Sequence, residues 1–295
     1  MTTAEATGPD EPSDLAELAR EHGLTKVGER PGFITYIRQM WQSRGFLWTM
    51  STAKSYSQYQ NNYLGQLWTV LSPLTLAAVY YVVFVLLLGT TGDIENRVSF
   101  LVIGIFIFLS IASTLSSGAT SILSNINVVR ALQFPRAVLP MSVSISEMIN
   151  LLPAIVVMYI IVLATGESVT WAWLLVPAVL ALIWVFTAGA CMIAARIIVA
   201  ARDLRNLIPM VVRVLRYGSG VFFPVALAQE RFGETIGVIV EYQPVALYLN
   251  LARACLMGEV QAAPFDWLLG AGWAVLFFVV GFIVFWSAED QYGRD

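Results

Sequence analysis

The sequence predicts an all-α, polytopic membrane protein with six transmembrane helices. Of its 295 residues, 58% are hydrophobic and 13% are charged, whereas about a quarter of the residues in a soluble domain are charged. The apolar residues lie in continuous runs, and about 20 such residues cross the hydrocarbon core as a helix. Membrane-spanning strands would instead alternate over about ten residues. The length and continuity of the runs therefore favour helices.

Two segments precede the first span. Residues 1–30 are polar and rich in acids, proline and glycine, which predicts a disordered cytoplasmic tail. Residues 31–62 contain GFITYIRQMWQSRGFLWTM, where apolar residues recur at helical spacing and Arg38 and Gln39 lie on the other face. This pattern is typical of an amphipathic helix in the membrane interface. A helix packed on a soluble partner would have the same pattern, so that alternative stays open.

Six apolar runs lie within the predicted transmembrane domain, 63–288, and a short cytoplasmic tail, 289–295, follows it. The runs lie near 65–89, 99–123, 138–165, 172–198, 207–227 and 265–286. Another stretch, 235–258, has the length of a span but contains Glu241, Pro244 and Arg253. Each charge at a helix centre costs about 2.5–3.5 kcal/mol on insertion scales. We therefore expect re-entrant or interfacial helices there, between the fifth and sixth spans.

The distribution of lysine and arginine indicates the orientation in the membrane. With a cytoplasmic N-terminus, twelve of the 17 basic residues lie inside, two lie in the fifth span, and only Arg97, Arg231 and Arg253 lie outside. Basic residues concentrate in the cytoplasmic segments of membrane proteins. Both termini are therefore predicted to be cytoplasmic, in a multi-pass protein of the bacterial inner membrane.

Residue types exclude several kinds of site. The single histidine, His22, lies in the polar tail, so a metal site is not expected. Cys191 and Cys255 lie in apolar surroundings and are interpreted as free core residues. Neither lysine of the chain follows a glycine, so the chain has no Gly-Lys-Ser/Thr phosphate-binding loop. We expect no cofactor on this chain and no ATP hydrolysis by it.

A short basic segment, NVVRALQFPRAVLP (127–140), separates the second and third spans. Positive-inside bias alone would explain its two arginines. Its first part also predicts a short amphipathic helix ended by a proline. Its apolar side chains are Val128, Val129, Leu132 and Phe134. The other segments predicted to be cytoplasmic offer nothing to bury them. An exposed apolar patch rimmed with charge is typical of a surface that binds a partner.

Four segments, in order, resemble the membrane subunits of ABC-2 type transporters that export polysaccharides. They are YLGQLWTVLSPLT (63–75), SNINVVRALQFPRAVLPMS (124–142), ARDLRNLIPMVVRVLRYGSGVFFPV (201–225) and YQPVALYLNLARACLMG (242–258). The resemblance implies a channel-forming subunit that exports a lipid-linked polysaccharide. It also implies a homodimer joined to two copies of a separate ATPase, which binds ATP and Mg²⁺. The family's Arg-Tyr-Arg before the first span is replaced here by Gln58, Tyr59 and Gln60, which argues against phosphate binding at that stretch.

The resemblance further implies that 127–140 is a coupling helix seated in a groove of the ATPase. The contact residues that it implies are Asn127, Arg130, Phe134, Pro135 and Arg136, with Arg202 and Asp203 as further contacts.

Three charged residues fall inside predicted spans: Glu147, Arg213 and Arg216. Charges inside a membrane are functional candidates and face protein or a cavity. Arg213 and Arg216 share one helix face, and two cations suit a phosphate, so one hypothesis is that they bind the pyrophosphate of a polyprenyl-linked glycan. The alternative, which we rank first, is that Glu147 pairs with Arg213 or Arg216 and only holds the helices together.

A glycan channel would offer aromatic faces and hydroxyl groups. Candidate rings are Tyr80, Phe84, Phe106, Tyr159 and Tyr217, and candidate hydroxyls are Ser113, Ser116, Ser117 and Thr120. Lipid-facing aromatic residues and small residues at helix contacts are the alternative explanations.

Three other functions are alternatives to the exporter. A membrane glycosyltransferase would use Asp93 and Glu95 in the first external loop. A secondary transporter would use Glu147 for coupling, and an ABC-2 multidrug or lipid permease would share the fold. Among exported glycans, the acidic tail and the composition favour an actinobacterial galactan precursor.

Overall fold

The computed structural model describes residues 31–58, 65–87, 94–224 and 233–292, and within these ranges it contains helices and no strand. The tail 1–30 lies outside the described residues. The first helices are α1 (Phe33–Gln42), α2 (Arg44–Ser57), α3 (Trp68–Tyr80, continued by a π-helical turn Tyr81–Leu87) and α4 (Arg97–Ala119). They are followed by α5 (Ile126–Ala131), α6 (Val138–Ala164), α7 (Val176–Ala200) and α8 (Ile208–Gly218). The last are α9 (Glu234–Tyr242), α10 (Pro244–Leu256) and α11 (Pro264–Ser287).

Short turns join or extend these helices. A single α-turn, Ser121–Ser124, precedes α5. The 3₁₀ turns are Gly65–Leu67, Trp171–Leu175, Arg202–Leu207 and Glu289–Gln291.

Four helices of the described chain are long and apolar enough to cross a membrane. They are Arg97–Ala119, Val138–Ala164, Trp171–Ala200 and Pro264–Ser287. They correspond to the second, third, fourth and sixth predicted spans, and they confirm the all-α membrane class. The first predicted span is represented by the shorter apolar helix Trp68–Val83. The total of six spans stays a prediction.

The fifth predicted span, 207–227, is not one continuous helix. Helix α8 ends at Gly218, so its 11 residues rise only about 16 Å, and a turn through Gly220 follows. Gly220 has a φ of 64°, a left-handed conformation that suits glycine. Gln243 donates a side-chain hydrogen bond to the carbonyl of Gly218, which satisfies one of the carbonyls left free at the helix end. The span is predicted from the apolar composition of 207–227, and composition alone does not show where a helix is interrupted by a turn.

Two short helices occupy 235–258, as predicted. Helices α9 and α10 meet at Gln243, and Pro244 begins α10, a position where the missing N–H of proline has no cost. Helix α10 is almost entirely buried and packs against α4, α7 and α11. Neither helix alone is long enough to cross the hydrocarbon core. Their re-entrant or interfacial position in the membrane stays a prediction.

Helix α4 lies at the centre of the bundle and is the most deeply buried of the long helices. The most extensive contact between helices of the described chain joins α7 and α11. A Cβ atom on Gly281 would collide with the backbone of Gly189, and one on Gly189 would collide with the backbone of Phe277 and Phe278. The two glycines therefore let the backbones approach closely, as small residues do in membrane bundles.

The bundle has two ends. Helices α1 and α5 and the turn Glu289–Gln291 meet at one of them, which is called the elbow end. At the opposite end, called the far end, Asn96 donates hydrogen bonds to Thr165 and Glu167. The described N-terminal helices and the C-terminal turn thus lie at the same end.

Candidate functional site

The elbow, residues 126–137, connects α4 and α6 and contains the short helix α5. Asn127, Arg130 and Leu132 are exposed, and Leu132 keeps 53% of its accessible surface. Helix α5 ends where Leu132 becomes extended, three residues before Pro135. The predicted short helix is therefore confirmed, although it has only six residues.

Two of the apolar elbow residues are covered by the chain itself, so the expectation that all four lack cover is wrong. Val129 is 4% exposed, and the ring of Phe134 packs edge-on against Phe46 of α2 at 5.1 Å. Pro135 is also buried. Part of this cover comes from α1 and α2, the two helices of the predicted interface segment. The sequence does not place these helices beside the elbow. The outward surface is thus narrower than predicted and centres on Asn127, Arg130 and Leu132.

Arg136 points into the protein and binds Glu289. The backbone N–H of Arg136 donates to Oε1 of Glu289 at 2.9 Å, and Nη1 of Arg136 donates to the carbonyl oxygen of Glu289 at 2.6 Å. An ion pair of 3.6 Å joins Nη1 to Oε1. Arg136 is therefore engaged within the chain rather than displayed on the elbow surface.

Tyr36 of α1 completes this contact. Its hydroxyl donates to Oε2 of Glu289 at 2.8 Å and accepts from the N–H of Ala137 at 3.2 Å. Both Tyr36 and Glu289 are buried. Burial raises the pKa of Glu289, and the hydrogen bonds from Arg136 and Tyr36 and the charge of Arg136 oppose that rise. One carboxylate thus joins the interface helix, the elbow and the C-terminal turn. Sequence reasoning missed it, because Glu289 lies in a short acidic tail with no distinctive pattern.

Arg202 and Asp203 lie in the exposed 3₁₀ turn that follows α7. Helix α7 runs from the far end to the elbow end and ends at Ala200. The turn that follows it therefore lies at the elbow end. Both residues are accessible there.

Glu147 lines a cavity of about 210 Å³ between α3, α4 and α6. Its side chain is 7% exposed and forms a hydrogen bond with Ser113 of α4. The cation that interacts with it is Lys54 of α2. The predicted pairing of Glu147 with Arg213 or Arg216 is therefore wrong: the described residues contain no such ion pair.

Polar contacts fasten α2 along the cavity side of α6. The hydroxyl of Ser55 donates to Oδ1 of Asn150 at 2.5 Å, and Nδ2 of Asn150 donates to Gln58 at 2.9 Å. Burial lowers the pKa of Lys54, and the charge of Glu147 opposes that shift. The interface segment is thus joined to a membrane helix through polar groups as well as apolar ones.

Arg213 and Arg216 lie on α8, away from this cavity. Arg213 is exposed. Arg216 is half-buried, with its guanidinium carbon 5.6 Å from the centre of the Phe108 ring. Within the described part of the chain, Nε of Arg216 is buried and forms no hydrogen bond.

The aromatic candidates divide into two groups. Tyr80 and Tyr217 both contact the ring of Phe222, at 4.1 Å and 5.7 Å between centroids, so α3 and α8 present rings together. Tyr159 lies apart, against Trp173 at 5.1 Å. The side chain of Phe84 is outside the described residues, and Phe106 lines the Glu147 cavity.

The hydroxyl candidates occupy the half of α4 nearest the elbow. Ser116 and Ser117 are partly buried, and the hydroxyl of Thr120 donates back to the carbonyl of Ser117 at 3.3 Å. Ser113 reaches the cavity. Of the four, only Ser113 contacts another candidate, Glu147.

Arg253 is a second residue whose role sequence reasoning missed. It is fully buried in α10 and donates to the carbonyls of Gly220 and Val221, each at 2.9 Å, and to that of Phe100 at 3.3 Å. Its guanidinium carbon lies 3.4 Å from the centre of the Phe100 ring. The turn after α8 is therefore held in place by α10.

The structure describes only one of the two acids that a membrane glycosyltransferase would use. Asp93 lies outside the described residues, and Glu95 is exposed with its N–H bonded to Glu259 at 3.0 Å. Among the residues that the structure describes, no three His, Cys, Asp or Glu side chains are grouped as metal ligands would be.

Comparisons with known proteins agree with these features. Residues 46–257 match the family model described as ABC-2 type transporter. The chain is 26% identical over 203 residues to the O-antigen export system permease protein RfbA of Myxococcus xanthus, which covers 69% of this chain and 77% of that protein. Two proteins of the same name from Klebsiella pneumoniae are 28% and 25% identical, over 64% and 77% of this chain and 71% and 83% of their own lengths.

The family match covers most of helix α2, the elbow, the Glu147 cavity and the buried Arg253 within one continuous region. This protein is therefore a member of the ABC-2 type transporter family.

Proposed function

We propose that the chain is the channel-forming membrane subunit of an ATP-driven exporter of a lipid-linked polysaccharide. It would act in the bacterial inner membrane as a homodimer, with two copies of a separate ATPase that binds ATP and Mg²⁺. The named relatives, which are O-antigen export permeases, support the substrate class. The lack of a Gly-Lys-Ser/Thr loop in the sequence supports a separate ATPase chain.

The elbow is the observation that carries this proposal. Asn127, Arg130 and Leu132 are exposed on the elbow. The end of the elbow is held against the bundle, because Phe46 packs on Phe134 and the N–H groups of Arg136 and Ala137 donate to Glu289 and Tyr36. A small polar and apolar surface on a firmly held support suits the transfer of motion from a partner. The elbow end would then be the cytoplasmic end, with both chain termini there. Arg202 and Asp203 would add contacts beside it.

Arg213 and Arg216 would meet the pyrophosphate of the polyprenyl-linked glycan. Both lie on a short amphipathic helix that begins at the elbow end, Arg213 in its middle and Arg216 in its last turn. The buried Nε of Arg216 has no hydrogen-bond partner among the described residues, and a phosphate oxygen would satisfy it. Tyr80, Tyr217 and Phe222 would supply ring faces further along the path.

Depletion of the chain tests the substrate class. We expect a polyprenyl-linked glycan to accumulate on the cytoplasmic side and the matching polysaccharide to disappear from the cell surface. Restoring the chain should reverse both changes. Unchanged surface polysaccharide together with altered export of a drug or a phospholipid would contradict the proposal and favour the multidrug or lipid permease.

A further inference from the structure

The Glu147 cavity combines ring faces with hydrogen-bonding groups. Its walls include the rings of Trp68 and Phe106, the hydroxyls of Ser110 and Ser113, the carboxylate of Glu147 and the amide of Asn150. These groups come from α3, α4 and α6, so three helices build one site. A small number of polar groups that converge within mostly apolar walls is typical of small-molecule sites.

The charges around the cavity suit an uncharged ligand. Glu147 is acidic and Lys54 lies close enough to interact with it, so the two charges offset each other. Arg213 and Arg216 do not line the cavity. A phosphate would meet the carboxylate of Glu147 with a like charge, which is unfavourable. A neutral, hydroxylated group would find donors and acceptors instead.

The size and remaining hydrogen-bonding capacity narrow the ligand further. A volume of about 210 Å³ has room for one hydroxylated ring. Gln58 uses one of the two N–H groups of Asn150, and Ser55 bonds its oxygen. The second N–H and the oxygens of Glu147 can bond ring hydroxyls.

We propose that this cavity binds a single uncharged sugar ring, with one ring face against Trp68 and its hydroxyls on Glu147 and Asn150. The inference rests on the proposed function and deepens it, because the ring would be a residue of the exported glycan. It also gives Glu147 a role separate from the arginine pair on α8, which would take the pyrophosphate.

Tryptophan fluorescence tests the proposal on the purified full chain in bilayer discs of phosphatidylethanolamine and phosphatidylglycerol, prepared without glycoside detergents because these would occupy the site. The probes are methyl glucopyranoside, methyl galactopyranoside and methyl mannopyranoside, with inorganic pyrophosphate as the charged comparison. Any change with pyrophosphate would come from the arginine pair on α8 and should persist in Trp68→Phe. With at least one pyranoside we expect a saturable change. Trp68→Phe should abolish the change, whereas Trp171→Phe should keep it, since Trp171 is 87% exposed at the far end.

Glu147→Gln should shift the midpoint of the titration at least about tenfold, because hydrogen bonds to a charged carboxylate are replaced by weaker ones to a neutral amide. No saturable pyranoside change in the wild type, a pyranoside change that persists in Trp68→Phe, or an unshifted pyranoside midpoint in Glu147→Gln would overturn the proposal. A saturable response to pyrophosphate that Trp68→Phe abolishes would overturn it as well.

The proposed function has its own readout, polysaccharide export by the living cell. If the wild-type chain binds no pyranoside but polysaccharide export in the cell depends on the chain, only the cavity site is rejected. Pyranoside binding without any role in export would reject the exporter assignment instead.

Discussion

At the elbow end, the carboxylate of Glu289 joins three separate segments of the chain through Tyr36, Arg136 and the C-terminal turn. Glu289→Ala would leave the hydroxyl of Tyr36 and the N–H of Arg136 buried without their partner. We expect a loss of about 1–3 kcal/mol in the free energy of unfolding, measured in detergent by thermal or denaturant unfolding.

Asp290→Asn is the matched control for that change, because Asp290 is the neighbouring acid and forms none of these hydrogen bonds in the described structure. It should leave the free energy of unfolding within about 0.5 kcal/mol of the wild type. Equal effects of the two substitutions would contradict the role assigned to Glu289.

The same residue should give the protein a pH dependence. Burial raises the pKa of Glu289 above its ordinary value of 4.5. A carboxyl with a raised folded-state pKa contributes stability below its unfolded pKa, and that contribution is lost as the pH rises through the folded value. We therefore expect the thermal midpoint of the wild type to fall relative to that of Glu289→Gln as the pH rises above 4.5. Parallel pH profiles of the two proteins would contradict this expectation.

The arginine pair on α8 gives a third prediction at the scale of single residues. If Arg213 and Arg216 bind pyrophosphate, the double change to Gln should lower export at least about tenfold, at an unchanged level of chain in the membrane. The double change to Lys keeps both charges and should restore part of the activity. Normal export by the Gln variant would reject the pyrophosphate role.

The partner of Glu147 could not be read from the sequence. Counting residues from the span ends gives its depth in the membrane, but it gives neither the neighbouring helices nor the direction of the side chain. In the structure the neighbour is Lys54 of α2, a residue of the interface segment. The sequence showed that Glu147 lies in an apolar segment, but it did not show which residues surround it.

Among the elements, the crossing of α7 and α11 is the most sensitive to the size of side chains. Gly281→Ala would place a Cβ against the backbone of Gly189, so we expect a loss of about 1–3 kcal/mol from overpacking. Gly272→Ala on the same helix meets nothing within 4 Å and should be neutral or stabilising, since alanine favours helix. Thermal unfolding of both variants in the same detergent measures the difference. Equal midpoints would contradict the close crossing.

Long, strongly apolar helices were the part of the fold that the sequence predicted well, because burial in lipid needs about 20 apolar residues in a row. The break after α8 was not predictable in this way. It depends on Gly220 and on contacts from Gln243 and Arg253, which lie at least 23 residues further along the chain. The composition of 207–227 alone is that of a span.

The elbow helix shows the same division between local and distant information. Its position and its end before Pro135 follow from the local sequence. The cover that Phe46 provides for Phe134 comes from α2, and the inward contact of Arg136 comes from the C-terminal turn. Of the contact residues that the resemblance implies, Asn127 and Arg130 are exposed, whereas Phe134 and Arg136 contact the chain itself. The resemblance alone could not separate the two pairs.

On the scale of the whole molecule, the hydrogen-bonded contacts of Glu289 lie at the elbow end. Helix α10 is buried against α4 and α7 toward the far end. In the proposed exporter, ATP hydrolysis occurs on another chain and reaches this one through the elbow. The interface helices, the elbow and the C-terminal turn are joined by Glu289, so they would move together.

The central claim is that the elbow docks a separate ATPase, and purification of the tagged chain from its native membrane in mild detergent tests it most directly. We predict that an ATPase with a Gly-Lys-Ser/Thr loop copurifies with the wild type and with Arg38→Glu, a charge reversal on α1 at the same end. It should be lost, by at least about tenfold, from the double variant Arg130→Glu, Leu132→Asp, whose two positions are exposed. Recovery of the chain alone, or equal recovery of the ATPase with all three proteins, would contradict the claim.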